Sequence, residues 1–228
     1  MDKKLQLKIF LRSFFIQIGW NYQKMQNIGF AFSVLPALKK FYKKENLNQA
    51  VLRHMGYFNT HPYMAGFTLG LCARMEEDAS QQNDTDKNDS YAKIDTLKSA
   101  VSTASAAIGD RLFWGILKPF CLVLTIFTLV ALNFDFFGFS LRDRLIAVIA
   151  LSIGFLFYNS VSLFVRWNSI EYGYRCAQDK YCGLDFLNWN KFAKILRLTG
   201  LALVLLTVAT FLIRYDVVYL VKLVIWLT

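Results

Sequence analysis

Histidine is nearly missing from this sequence: there are two, His54 and His61, in 228 residues. With so few imidazoles no zinc-type His/Cys cluster forms, and no Ser-His-acid set can be assembled from separated motifs. The four cysteines (Cys72, Cys121, Cys176, Cys182) follow no metal-ligand spacing. They are read as free thiols in packed or cytosolic positions, not as disulfide or metal partners. No phosphate-binding glycine loop is present. These absences leave no catalytic residue to name, no metal and no cofactor, and no enzymatic chemistry is expected of this chain alone. Charge is also scarce. A soluble domain keeps about a quarter of its residues charged, whereas here the fraction is 18%, with only 3 Pro and 12 Gly. The opening "MDKKLQLKIF" has a basic flank but no apolar centre and no small-residue cleavage site, so it is not read as a signal peptide.

What the chain has in abundance is apolar surface: 55% of its residues are hydrophobic and 16% of all residues are aromatic. A membrane-spanning helix needs about 20 apolar residues, and three runs near that length occur, at 112–132, 145–165 and 195–213. A fourth run, 217–227, is too short to stand upright in a bilayer and contains Lys222. It reads as a truncated span, a tilted helix or an interfacial tail. The net charge of +10 is read as topology rather than as a nucleic-acid surface, because Lys and Arg gather on the cytoplasmic side of membrane proteins. Ten of the 26 lie before Tyr57, only Arg142 and Arg144 fall in 133–144, and five fall in 166–194. That alternation places the N-terminus in the cytoplasm, the 133–144 connection outside and the 166–194 connection inside.

The expected fold is all-α: a polytopic membrane protein with amphipathic and re-entrant N-terminal helices and about three transmembrane helices. Residues 1–78 form the amphipathic and re-entrant region. Leu5, Ile9, Phe10, Phe14 and Ile18 interleave with Lys3, Lys4, Lys8 and Arg12, which suits a helix at the membrane surface. Gly19 and Gly29 read as breaks, Pro36 as a restart, and 47–55 as a short helix capped by Asn46. The stretch 56–78 is too polar to span freely and reads as a re-entrant hairpin that Glu76 and Glu77 close at the aqueous side. Residues 79–93, over the low-complexity stretch "DASQQNDTDKNDS" (78–90), read as a mobile polar linker. Residues 94–228 form the transmembrane region, entered through small residues that favour close helix packing.

The informative groups are polar side chains in apolar surroundings. An ionisable group at bilayer depth costs about 2.5 kcal/mol or more and usually faces protein or water. Asp110 and Lys118 qualify, with Arg166 and Glu171 beside them. Asp110 either caps a helix starting near Arg111 or borders a polar route. Lys118 either snorkels or shares that route; at 100° per residue it returns to within roughly 80° of Asp110. The stretch Asn59-Thr60-His61-Pro62 is either a turn or a polar element. Trp20, Trp114 and Trp167 read as interface anchors.

Four blocks in order, "RSFFIQIGWNYQKMQNIGFAFSVLPALKKFY", "LRHMGYFNTHPYMAGFTLGLCARMEE", "AIGDRLFWGILKP" and "FLFYNSVSLFVRWNSIEYGYRCA", cover roughly residues 12–177. Together they resemble the IID membrane subunit of the mannose/fructose/sorbose family of bacterial phosphotransferase systems. The resemblance implies a subunit that forms, with a IIC membrane subunit, the pathway bringing in a hexose-type sugar for phosphorylation by IIB. It implies IIA and IIB proteins as phosphate-passing partners, a symmetric oligomer of IIC–IID pairs, and the bacterial inner (cytoplasmic) membrane as location. His54 and His61 are then not phospho-acceptors. Sugar hydroxyls need carboxylates, amides and aromatic faces, and the substrate-binding residues expected on this basis are Asn59, His61, Glu76, Asp110, Trp114 and Lys118. The family's third block begins Gly-Pro-Leu-Ala-Gly-Ile-Gly-Asp-Pro, where this chain has 103–111 as "TASAAIGDR". That departure, with a short C-terminal part, supports the alternative of a non-transporting structural or regulatory membrane subunit derived from the same family.

Overall fold

The computed structural model describes residues 1–135, 140–177, 188–214 and 224–227, without the side chains of 84–86 and 214. Lys222 with most of the short run 217–227, and Cys182 with most of the 177–188 connection, lie outside them. Among the described residues the chain is helical, with two isolated bridges and no strand. Three helices are long and apolar enough to cross a membrane: Lys87–Ala131, Leu141–Cys176 and Trp189–Ile213. Each contains one of the three runs read from hydropathy. Two compact units emerge, Met1–Arg111 with Val161–Asn188, and Leu112–Ser160 with Trp189–Thr228.

The first unit begins with α1 (Lys3–Ser13), whose first turn is capped by the Asp2 carboxylate accepting from the Lys4 amide at 3.2 Å. Leu5, Ile9 and Ser13, four residues apart, bury one stripe of α1. The chain turns at Gly19, whose φ of +65° belongs to the left-handed region that only glycine enters cheaply. Gly29 does not break a helix as expected. It lies inside α2 (Asn27–Phe41), where a Cβ would sit 2.0 Å from the Ile16 carbonyl oxygen. Pro36 likewise does not restart a helix but lies within α2. The proline ring removes the amide that would have bonded the Phe32 carbonyl, and that oxygen accepts from Arg12 Nη1 at 3.1 Å instead. The short helix α3 (Lys44–His54) starts before Asn46, so Asn46 is inside it and caps nothing.

Helix α4 (Ala65–Ser80) is buried at every position from Ala65 to Ala73. Its enclosure follows from glycine. Gly66 and Gly70 face residues of α7 (Leu141–Cys176) so closely that a Cβ at Gly70 would lie 1.9 Å from the Ile170 oxygen. From the other side, a Cβ at Gly173 would lie 2.1 Å from the Phe67 oxygen. Small residues four apart let two helix backbones touch, and "GFTLG" is such a spacing. The core of this unit gathers Ile9, Phe30, Val34, Leu38, Phe58, Leu69, Ile94 and Ile170.

The polar stretch expected to be an unstructured linker is helical on both sides of a turn. It closes α4 and opens α5 (Asp84–Gly109). Its apolar neighbours supply the reason: Ala79 of α4 and Ile94 of α5 lie in the core with Tyr91 packed against it, and helix propagation through the polar residues costs little once those positions are anchored. No break follows Gly109 either. The Asp110 amide bonds the carbonyls of Ala106 and Ala107, and the chain continues as a π-helical segment, Asp110–Leu117, into α6 (Lys118–Ala131). The sequence places no breaker there, since Arg111 has a backbone donor and no ring.

In the second unit, α6 packs with α8 (Trp189–Arg214) and with the first part of α7 (Leu141–Cys176). Gly154 of α7 seats against Thr125, and the Phe120 and Phe157 rings meet at 5.3 Å. Ser140 and Asp143 form a reciprocal cap at the start of α7, the Asp143 amide donating to Ser140 Oγ at 3.2 Å and Asp143 Oδ2 accepting from the Ser140 amide at 3.3 Å. Of the most apolar 18-residue window of α8, only 6% is buried within the chain. Cys72 and Cys121 are free and buried as expected, but Cys176 is disulfide-bonded, so the expectation of unpaired thiols fails there.

Candidate functional site

The segment carrying Asn59 and His61 is held by backbone pairing. The Gln26 amide donates to the Phe58 carbonyl at 2.8 Å. The Gln26 side chain exchanges two hydrogen bonds with the Thr60 backbone, at 3.0 and 3.1 Å. Phe58 and Thr60 are thereby drawn inward while Asn59 stays exposed. This zipper links two of the blocks read from the sequence, since Gln26 belongs to the first and Thr60 to the second.

His61 is buried at 3% exposure and packs against Gly109, where an added Cβ would meet His61 Cβ at 2.3 Å. Burial, partly offset by the Asp110 carboxylate and reinforced by Arg166, lowers the His61 imidazole to about 4. Asp110 is exposed, and its side chain makes no hydrogen bond or ion pair among the described residues. Arg166, on α7, is buried and donates to the Ser13 carbonyl and hydroxyl, with its guanidinium 4.8 Å from the Phe14 ring and 5.3 Å from the Tyr63 ring. No carboxylate among the described residues pairs with it. An arginine in a span with carbonyl and aromatic partners alone is the kind of group that marks function in membrane helices.

Glu76 is not at an aqueous edge. Its side chain has 0% exposure and takes four donors. Arg53 donates through Nε to Oε1 at 3.0 Å and through Nη2 to Oε2 at 2.9 Å, a two-pronged bond. His54 Nε2 is 2.8 Å from Oε1, and Tyr42 donates its hydroxyl to Oε2 at 2.8 Å. The Arg53 guanidinium stacks 3.6 Å from the Tyr91 ring centroid, and Lys98 Nζ donates to the Arg53 carbonyl at 3.3 Å. One carboxylate thus ties the end of α2 to α3 and α4, and α5 joins through Tyr91 and Lys98 on Arg53. Burial opposes charge on Glu76, but the hydrogen bonds from His54 and Arg53 win and hold it at about 2. Burial lowers His54 despite Glu76, so the ring is neutral and donates from Nε2.

These directions give a pH prediction. Both groups are depressed in the folded chain, so each contributes stability above its unfolded value and loses it as pH falls through that value towards the folded one. The unfolded values are 6.5 for His and 4.5 for Glu. Melting temperature in detergent should therefore be level above pH 6.5, decline below it, and decline again below pH 4.5. The His54→Gln variant keeps a donor to Glu76 and should weaken the first decline; an unchanged profile would contradict the neutral-imidazole assignment.

In the second unit Lys118 Nζ sits 4.6 Å from the Trp114 ring centroid, a cation–π contact, with Trp114 54% exposed. The six residues singled out from the sequence thus divide. His61 meets the Gly109–Asp110 stretch, Trp114 meets Lys118, Asn59 stands exposed by itself, and Glu76 is sealed in a brace. The reckoning that put Lys118 and Asp110 on nearby faces assumed an α-helical step, which does not hold through the π segment. Sequence reasoning did not single out Arg53, His54 or Tyr42 as partners of Glu76. The signal was there in one block, which opens with Arg-His and closes with Glu-Glu. Among the described residues, no group of three or more His, Cys, Asp or Glu is placed to hold a metal ion.

Comparison with known proteins gives a consistent picture. The family model for the phosphotransferase system mannose/fructose/sorbose family IID component matches residues 1–222. The mannose-specific EIID component of Escherichia coli is 31% identical over 168 residues, which are 73% of this chain and 53% of that protein. The fructose permease IID component of Bacillus subtilis is 28% identical over 176 residues, 76% of this chain and 57% of that protein. The chain therefore spans about half the length of the curated relatives it matches. A solved cryo-electron-microscopy structure of the mannose transporter ManYZ in complex with a microcin is similar at a TM-score of 0.61 and 27% identity, covering 90% of this chain and 69% of that one.

Proposed function

This chain belongs to the mannose/fructose/sorbose family IID components of the phosphotransferase system, and from that premise we propose that it is the membrane subunit which, with a IIC subunit, forms the pathway for a hexose-type sugar. IIB phosphorylates the incoming sugar and IIA supplies IIB; the chain itself carries out no phosphoryl transfer. The distribution of Lys and Arg supports an N-terminus on the cytoplasmic side of the bacterial inner membrane and a multi-pass arrangement.

One observation carries the reading: Asp110 is an exposed, unengaged carboxylate that opens a π-helical segment inside a membrane-length helix. Such widened turns recur at functional sites, and an ionisable group at this depth borders protein or water. Within the first unit Asp110 accepts sugar hydroxyls, His61 beside it supplies a ring nitrogen and Asn59 contributes an amide; within the second, Trp114 and Lys118 offer an aromatic face and a donor. Glu76 stays out of the pathway and acts by holding the α3–α4 region in place.

Sugar uptake and phosphorylation, measured in a strain with this chain deleted and restored, test the proposal. Asp110→Ala should lower uptake by about 100-fold, the loss of roughly 3 kcal/mol from a charged hydrogen bond, while the membrane complex still assembles and melts normally. Loss of assembly together with uptake would make Asp110 a structural residue instead.

A further inference from the structure

A groove of about 260 Å³ between α1 and α2 is lined by Lys4, Lys8, Lys39 and Lys40 against a single acid, Asp2. That acid is already engaged in capping α1. None of the four lysines forms an ion pair among the described residues. Lys4 and Lys8 stand one helical turn apart, a spacing at which like charges repel. The groove is a site of positive potential.

Its surroundings identify the occupant. On α1, the face opposite the buried Leu5–Ile9–Ser13 stripe exposes Leu7, Leu11 and Phe14, at 45%, 54% and 50%. At 100° per residue, Lys4 and Lys8 flank that apolar face on the groove side. A helix with an outward apolar face edged by lysines suits the headgroup boundary of a bilayer. Its height agrees. Gln6 donates to the Trp167 carbonyl at 3.1 Å, Lys3 bonds Glu171 at 2.9 Å, and the Phe10 ring meets Trp167. These contacts fall within a few residues of Val165, where the apolar run of α7 ends. Helix α1 therefore lies where that span leaves the hydrocarbon.

We infer that the α1–α2 groove binds the headgroup of an anionic phospholipid, with Lys4, Lys8, Lys39 and Lys40 on the phosphate and Leu7, Leu11 and Phe14 against the acyl chains. The inference does not depend on sugar transport. A lysine near an anionic surface is worth about fivefold in binding, so the four act together as a substantial lipid trap that salt weakens.

The test uses the full chain purified in mild detergent, with bound lipid counted by native mass spectrometry. It is titrated in turn with phosphatidylglycerol, phosphatidylcholine and inorganic phosphate. Phosphatidylglycerol should be retained about tenfold or more over phosphatidylcholine. Replacing all four lysines by glutamine should reduce that retention by about tenfold or more, and replacing them by arginine should preserve it; melting temperature checks that both variants are folded. Equal retention of the two lipids, or an unaltered glutamine variant, would overturn the inference. Inorganic phosphate competing as well as phosphatidylglycerol would also overturn it, by making the groove a free-anion site. So would a glutamine variant that keeps its lipid and loses a soluble acidic partner.

Discussion

Gly70→Ala should destabilise the chain by about 3 kcal/mol, the upper range for forcing a methyl into a packed interior. The built Cβ at this position falls 1.9 Å from the Ile170 carbonyl oxygen and 2.8 Å from the Tyr174 amide nitrogen. Both obstacles are backbone, so no rotamer change relieves them and α4 must move away from α7. Gly173→Ala meets the Phe67 carbonyl at 2.1 Å and should behave alike. Because both substitutions relieve or create the same helix separation, the double variant should cost less than the sum. Gly200→Ala is the counter-case. Its nearest neighbour would be a Phe120 ring carbon at 3.4 Å, so removing glycine from a helix interior should be neutral or stabilise by up to about 1 kcal/mol. Thermal unfolding in detergent separates these outcomes, and a Gly70→Ala variant within about 0.5 kcal/mol of the parent would show that α4 and α7 do not touch as described.

Glu76→Ala should cost about 3–5 kcal/mol, the range for removing one partner of a buried ion pair. The loss comes from what remains: an Arg53 guanidinium and a His54 imidazole facing a void, with the Tyr42 hydroxyl deprived of its carboxylate acceptor. Glu76→Gln keeps an acceptor oxygen and should fall between the variant and the parent. Replacing Glu76, Arg53 and His54 together by apolar residues of similar volume should recover much of the loss, because desolvation of the charges then disappears as well. If the triple variant is no more stable than Glu76→Ala, the cluster does more than neutralise itself. Glu76 and Asp110 thus separate experimentally. The first substitution lowers melting temperature and takes uptake down with it, whereas the second should remove uptake from a chain that still folds.

Much of the architecture was readable before any coordinates. The three spans stand where apolar runs reach membrane length, because burial in hydrocarbon is a property of each residue and needs no partner. The amphipathic character of α1 was readable for the same reason: Leu5, Ile9, Phe10 and Phe14 interleave with Lys3, Lys4, Lys8 and Arg12 at a local period. The linker was misread because low hydrophobicity over thirteen residues says nothing about the apolar anchors at Ala79 and Ile94 that make the flanking helices worth extending. Glu76 was misread because its acidic neighbour Glu77 and the polar stretch after it look like an aqueous edge. Of its donors, Arg53 and His54 share a block with it while Tyr42 lies outside, and no periodicity joins the three to Glu76.

Composition and periodicity determined that this chain is helical and membrane-bound, since those traits rest on hydropathy summed over short windows; its kinship to the IID subunits rests on ordered motifs and the family match. Tertiary structure alone decided that Gly66, Gly70 and Gly173 form one seam, that Arg53, His54 and Tyr42 converge on Glu76, and that the helix runs unbroken through Gly109 and Asp110. Contacts between distant positions depend on where each backbone lies to within an ångström or so. That is a property of the packed whole, and no single segment carries it.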